Sequence, residues 1–239
     1  MNRRFAARRY RALREEWRKS SYWSRDPSHP KANLNLRLRR SLSWLGRAER
    51  ERKDCDASFV FYWIAFNAAY GQQDSPWHDQ ERERDLYHKY LQRIIDGDWG
   101  ALKTTIWPHL ESPIKSLMNN EHVFQPSWRS QDQESDSQDW KQKFKESQTE
   151  MARALHQRNL ALSHLCELLD RLYTLRNQLL HGGATYRGRV NRPQVEDGAL
   201  IMAGLMPCFI KVMIDNPETD WGLPRYPVRP DPFPRRPSQ

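Results

Sequence analysis

Cysteine is scarce in this chain of 239 residues. Cys55, Cys166 and Cys208 are odd in number and far apart. That excludes a disulfide framework, fits a reducing cytoplasm, and leaves no pair at zinc-site spacing. Long apolar runs are missing too. The longest, Ala199 to Ile210, falls well short of the roughly 20 residues that cross a bilayer, and the charged N-terminal stretch holds no apolar signal segment. No membrane association is expected. β-Branched residues are few, with Val and Ile together occurring 14 times against 24 Leu. Strands favour the branched residues and helices accept Leu more readily. With only 10 Gly, a turn-rich sandwich is excluded as well. The expected fold class is all-α.

What the chain has in excess is positive charge, +9 overall. Residues 1–53 hold 17 Lys and Arg against 5 acids, a net of +12, so the remainder carries −3. A disordered basic arm is expected over residues 1–32. It either contacts RNA or another polyanion, with Trp17, Tyr22 and Trp23 stacking on bases, or is merely solvated. At the other end, residues 217–239 include 7 Pro in 23 positions, which predicts an extended or disordered tail.

Between these ends the apolar spacing is helical. Leu34, Leu38, Leu42 and Leu45 mark a helix over about residues 33–52. Asp54 or Asp56 caps a second one, apolar all round from Phe59 to Tyr70 and stopping at Gly71, which suits a buried central helix. Leu86, Tyr87, Tyr90, Leu91, Ile94 and Ile95 mark a third, ending near Gly97. Residues 99–122 look helical but are broken by Pro108 and Pro113. A polar loop is expected over 125–139. From about Asp139, Phe144, Met151, Leu155, Leu162, Leu165, Leu169 and Leu172 follow one drifting face, either as one long helix or as two with a break near Ser147. Gly182-Gly183 ends it. A last helix begins after Pro193, is capped by Asp197, and runs through Met213 with a bend at Pro207. The sum is a bundle of five to six helices over residues 33–216.

One segment combines chemistry-bearing residues. Arg176 continues the apolar stripe Leu165, Leu169, Leu172, and a guanidinium on a packing face must be paired or lie at an interface. Asn177 and His181 share a helix face at i and i+4. Histidine is the residue type whose charge changes nearest neutral pH. A phosphate clamp, an orienting amide and an acid-base group suit metal-free RNA cleavage, in which the 2′-OH attacks its own phosphate. The alternatives are structural. Arg176 pairs with an acid such as Asp170 or Glu167, or His181 is a helix C-cap favoured by the macrodipole. Asn67, on the same face as Trp63, either orients Arg176 or makes a helix–helix hydrogen bond.

Here the chain resembles the HEPN superfamily, helical domains with an R-x(4–6)-H motif near the end of a late helix and often a polar residue directly after the Arg. Arg176, Asn177 and His181 match it. The Trp63-Ile64-Ala65-Phe66-Asn67 stretch and the closing helix are also similar, and the likeness spans about residues 33–216. With 29 Arg and 8 His, chance supplies roughly one match per spacing. Arg82 with His88 and Arg158 with His164 also fit, so context singles out the third. The resemblance implies a metal-independent endoribonuclease, often a toxin or defence effector, that dimerises so that two motifs share one cleft. No cofactor and no metal site are expected. RNA is the expected partner, contacted by Arg187, Arg189 and Arg192 after the motif, with Asn67 in support. A second copy, an antitoxin or a nucleotidyltransferase are the protein partners implied. In the branch that such a transferase modifies, a Tyr stands two residues after the His. Here Gly183 holds that place and Tyr186 lies five residues on. Other members have lost activity and bind nucleotide, RNA or a partner protein.

Overall fold

The computed structural model describes residues 9–73, 80–129, 139–189 and 191–227. The fold is all-α. Among the described residues the helices are α1 (Arg9–Lys19), α2 (Ala32–Arg50), α3 (Cys55–Tyr70), α4 (Gln80–His109), α5 (Glu111–Met118), α6 (Gln125–Arg129), α7 (Asp139–His156), α8 (Leu162–Leu180) and α9 (Arg192–Asp215), with a short 3-10 turn at Glu121–Val123.

The second and last helices of the expected bundle form its centre. Asp54 is the cap of α3, accepting from the Ala57 N–H at 3.0 Å. α3 packs along α2 and α9, which is why it needs no polar face. Phe66 sits among Trp63, Tyr70, Tyr87, Tyr90 and Phe209, at ring-centroid distances of 4.6–6.2 Å. α9 touches α1, α2, α3, α4, α5 and α8. It is long and apolar enough to cross a membrane, and 78% of that apolar window is buried inside the bundle, so protein surrounds it as it would a core helix.

Several boundaries differ from the sequence expectation. One expected boundary holds: α4 reaches His109 only across a kink at Asp98, where the backbone leaves helical geometry, so the first helical segment stops near Gly97 and a second follows directly. Residues 125–129 of the expected loop are helical, while 130–138 lie outside the described residues. The break in the long drifting helix falls at 157–161, not near Ser147. Arg158 adopts a left-handed backbone there (φ 52°), and the Ala161 N–H donates to His164 Nδ1 at 2.9 Å to start α8. Asp197 does not cap α9. It lies inside the helix, where burial raises its carboxyl pKa, and Asn191 occupies the cap position.

The expected disordered N-terminal arm is folded from Arg9 onward; residues 1–8 lie outside the described residues. Leu13 and Trp17, four residues apart, bury one face of α1. Trp17 Nε1 donates to Asn35 Oδ1 at 2.9 Å. Asn35 in turn donates to the carbonyls of Tyr22 and Lys31, and the Tyr22 hydroxyl donates to the Ile214 carbonyl at 2.7 Å. Trp17 and Tyr22, expected to stack on bases, are therefore structural, and Trp23 is the one of the three left exposed.

The start of the Pro-rich tail is docked as well. Trp221 is buried, and Gln72 and Pro224 form an isolated bridge. Arg37, fully buried, donates to the carbonyls of Ala69 and Gly71 at 2.8 Å each and to that of Gly222. Its charge is held by the carbonyl end of α3, where a helix is negative, and burial lowers its pKa to about 10. Arg40 donates to the carbonyls of Arg225 and Tyr226 at 2.6 Å each. Arg37→Met is expected to lower unfolding stability by about 3 kcal/mol, because buried carbonyls lose their donors. Urea titration reads this directly, and a midpoint matching wild type would contradict it.

Candidate active site at the end of α8

α8 ends where the glycine pair predicts. His181 is its C-cap, its N–H donating to the Asn177 carbonyl at 2.9 Å. Gly182 takes a left-handed conformation (φ 75°) that a β-carbon would strain. The His181 side chain is exposed. Position therefore makes His181 a cap and exposure leaves its imidazole accessible; the two readings of that residue coexist.

Arg176 is half-buried one turn earlier. Its Nη1 donates to Asn177 Oδ1 at 2.7 Å, and its guanidinium lies 5.7 Å from the Tyr173 ring centroid. The proposed acid partners are occupied elsewhere. Asp170 accepts from Arg84 and Tyr87. Glu167 accepts from Ser147 and from Arg171, whose guanidinium lies over Phe124. Among the described residues Arg176 forms no ion pair, and its Nε is buried without a hydrogen bond. Two more buried polar atoms lack partners there, Trp63 Nε1 and Asn67 Oδ1. Both belong to one face of α3, and the Trp63 ring lies 6.0 Å from that of Tyr173. Among the described residues Asn67 thus makes no side-chain hydrogen bond to Arg176 or to another helix. Polar atoms left this way mark strain or a site.

The sequence did not single out the groups that surround Arg176. Glu83 accepts from the Tyr70 hydroxyl at 2.7 Å and from the Tyr173 hydroxyl at 3.0 Å. Burial raises both tyrosine pKa values, with Glu83 adding to the rise and the Arg176 charge opposing it. A usable signal existed: a tyrosine on a buried face needs a partner for its hydroxyl, and both Tyr70 and Tyr173 lie on apolar stripes.

The arginines after the motif separate into different roles. Arg192 makes a two-pronged ion pair with Asp56, at 2.6 and 3.1 Å, which ties the start of α9 to α3. That removes it from the basic surface expected to contact RNA. Arg187 lies 3.4 Å from Asp54 and over the Tyr186 ring, but stays exposed. The Tyr186 hydroxyl donates to Asp54. Arg189 is exposed. Of the three, Arg187 and Arg189 remain accessible beside His181.

The other spacing matches fall elsewhere. Arg158 is in the α7–α8 connection and His164 is in the first turn of α8. His88 lies 3.4 Å from Asp170, while nothing is described of the Arg82 side chain. No group of three or more His, Cys, Asp or Glu is placed to hold a metal among the described residues. Comparison with known proteins adds no neighbour: no family model, no curated protein and no solved structure matches this chain.

Proposed function

We propose that this chain is a metal-independent endoribonuclease of HEPN type, acting as a toxin or defence effector in the cytoplasm. The observation that carries the reading is a guanidinium that makes no ion pair among the described residues. Arg176 is aimed by Asn177 and Tyr173 and lies one turn before an exposed histidine. A phosphodiester supplies the missing anion, through charge-assisted hydrogen bonds to Arg176. His181 moves the proton between the 2′-OH and the leaving oxygen, and Arg176 offsets charge that develops on the phosphate. The products are a 2′,3′-cyclic phosphate and a 5′-OH. Arg187 and Arg189 steer the strand towards the motif.

The test is cleavage of a structured RNA by the full chain, together with toxicity on expression. Cleavage is expected to persist in EDTA and to fail on the same sequence made of DNA, which lacks the nucleophile. Activity lost in EDTA and restored by added metal, or cleavage of the deoxy strand, would defeat the mechanism. A second reading is supported by the half-burial of Arg176 against Tyr173: an inactive module that binds nucleotide, RNA or a partner protein. It requires RNA binding or partner capture with no cleavage at any enzyme concentration.

The same reading places the α8 end at a two-fold contact between copies. Leu180, directly before His181, is 48% exposed, and an isologous contact would cover it while bringing two motifs into one cleft. Sedimentation at roughly 50 µM is expected to show a dimer, and Leu180→Glu a monomer. A wild-type monomer at that concentration would remove the shared cleft.

A further inference from the structure

A second concave site shares no residue with the α8 end. Residues 9–50 enclose a cavity of about 280 Å³ between α1, the turn that follows it, and one face of α2. Its walls carry Arg14, Arg18, Arg25, Arg39 and Arg50, and no carboxylate. Among the described residues none of the five is in an ion pair. Nearby acids have partners of their own: Glu16 pairs with Lys211, Glu51 with Arg47, Asp26 accepts from Ser28, and Glu49 accepts from the N–H of Tyr10, a wall residue. Five guanidiniums lining one concavity without an ion pair among the described residues repel one another and attract a multiply charged anion.

Three aromatic rings, Tyr10, Trp17 and Trp23, stand among the other lining residues. Trp17 is anchored through Asn35. Trp23 meets it edge-on at 6.5 Å and is 36% exposed, so part of its ring is free to contact a ligand. Tyr10 lies flat on α2, with Arg14 over its ring. It can do so because position 46 is glycine: a β-carbon there would be 3.0 Å from the Tyr10 ring. Charge beside an open aromatic surface suits a ligand with phosphates at one end and a planar ring at the other.

We infer that this cavity binds a nucleoside polyphosphate, its phosphate chain held by the guanidiniums and its base against Trp23. A strand-binding groove would instead lay its charges out as a track along the backbone, whereas here they line one cavity of about 280 Å³. The inference does not depend on RNA cleavage at α8.

The test is calorimetric titration of the full chain with ATP, GTP, inorganic tripolyphosphate and a single-stranded RNA oligonucleotide. Saturable nucleotide binding in the range of about 10–100 µM is expected, with tripolyphosphate competing but binding more weakly. The exposed pair Arg39→Gln/Arg50→Gln should weaken nucleotide at least about tenfold without lowering the melting temperature. Trp23→Ala should weaken nucleotide and leave tripolyphosphate unchanged. No saturable binding by wild type, or an unchanged affinity in the double arginine variant, would overturn the site. Equal affinity for tripolyphosphate and nucleotide would overturn the base contact. Oligonucleotide binding without nucleotide binding would assign the face to RNA instead.

Discussion

Alanine at His181 is expected to cost about a hundredfold or more in the rate of RNA cleavage, with the melting temperature unchanged. Both halves follow from position. The side chain is exposed and lies past the last helical residue, so its removal opens no cavity. The helix stop rests on backbone bonds and on Gly182, which the substitution leaves in place. Arg176→Ala should cost as much in rate but also some stability, because its stem and guanidinium pack on Tyr173. Arg176→Lys discriminates further. A point charge replaces the fork that Asn177 orients, so charge survives while aim is lost, and most of the rate should go with it. Single-turnover cleavage of a labelled RNA, paired with thermal melts, reads all three variants. Full activity in His181→Ala would end the proposed chemistry.

Asp170→Asn is expected to destabilise by about 2–3 kcal/mol in urea unfolding, because it removes the carboxylate that a half-buried cluster of donors shares. Asp170 receives hydrogen bonds from Arg84 and Tyr87, and His88 lies 3.4 Å away. These partners join α4 to α8, the helix that carries the motif. Burial alone would raise the Asp170 pKa, but the nearby His88 and the hydrogen bonds from Arg84 and Tyr87 outweigh that and hold it below the usual carboxylate range. The same cluster makes stability depend on pH on the alkaline side. The Asp170 carboxylate, with Cys166 adding to it, raises the His88 pKa to about 9. A folded-state pKa above the unfolded value means that the folded protein holds the proton more tightly. The stabilisation is therefore complete below about pH 6.5, the unfolded value, and is lost as pH rises through about 9. Thermal melts from pH 6 to 9.5 should fall accordingly, and His88→Gln should flatten the fall. A wild-type profile no steeper than that of His88→Gln would show that the pair contributes nothing.

The residue pattern alone was enough for the all-α class, an α3 cap at either Asp54 or Asp56, the all-apolar character of α3 and the stop at Gly182. Each of these rests on local chemistry: β-branched scarcity, a carboxylate before a helix, period, a glycine at a helix end. Local spacing could not tell a loose basic arm from α1, because Tyr10, Leu13 and Trp17 form an apolar stripe diluted by arginines. What folds the arm is Asn35 receiving Trp17 and α9 receiving Tyr22, contacts made by residues far apart in the chain. The tail is similar. Seven prolines forbid a helix there but do not forbid docking, and Arg37 and Arg40 hold its first part through backbone carbonyls that no side-chain pattern encodes.

For the candidate site, the spacing of Arg176, Asn177 and His181 was visible, but three arginine–histidine pairs fit it equally. Only the tertiary structure placed the alternative acids. It gave Asp170 to Arg84 and Glu167 to Arg171, which leaves Arg176 without an ion pair among the described residues. It also gave Arg192 to Asp56, and brought Glu83, Tyr70 and Tyr173 together from three helices. The physical reason is common to all of these. A helix and its caps are decided within a few residues of chain, whereas the partner of a buried charge is decided by which helices meet. That pairing is what turns an arginine on an apolar stripe into a site or into a strut.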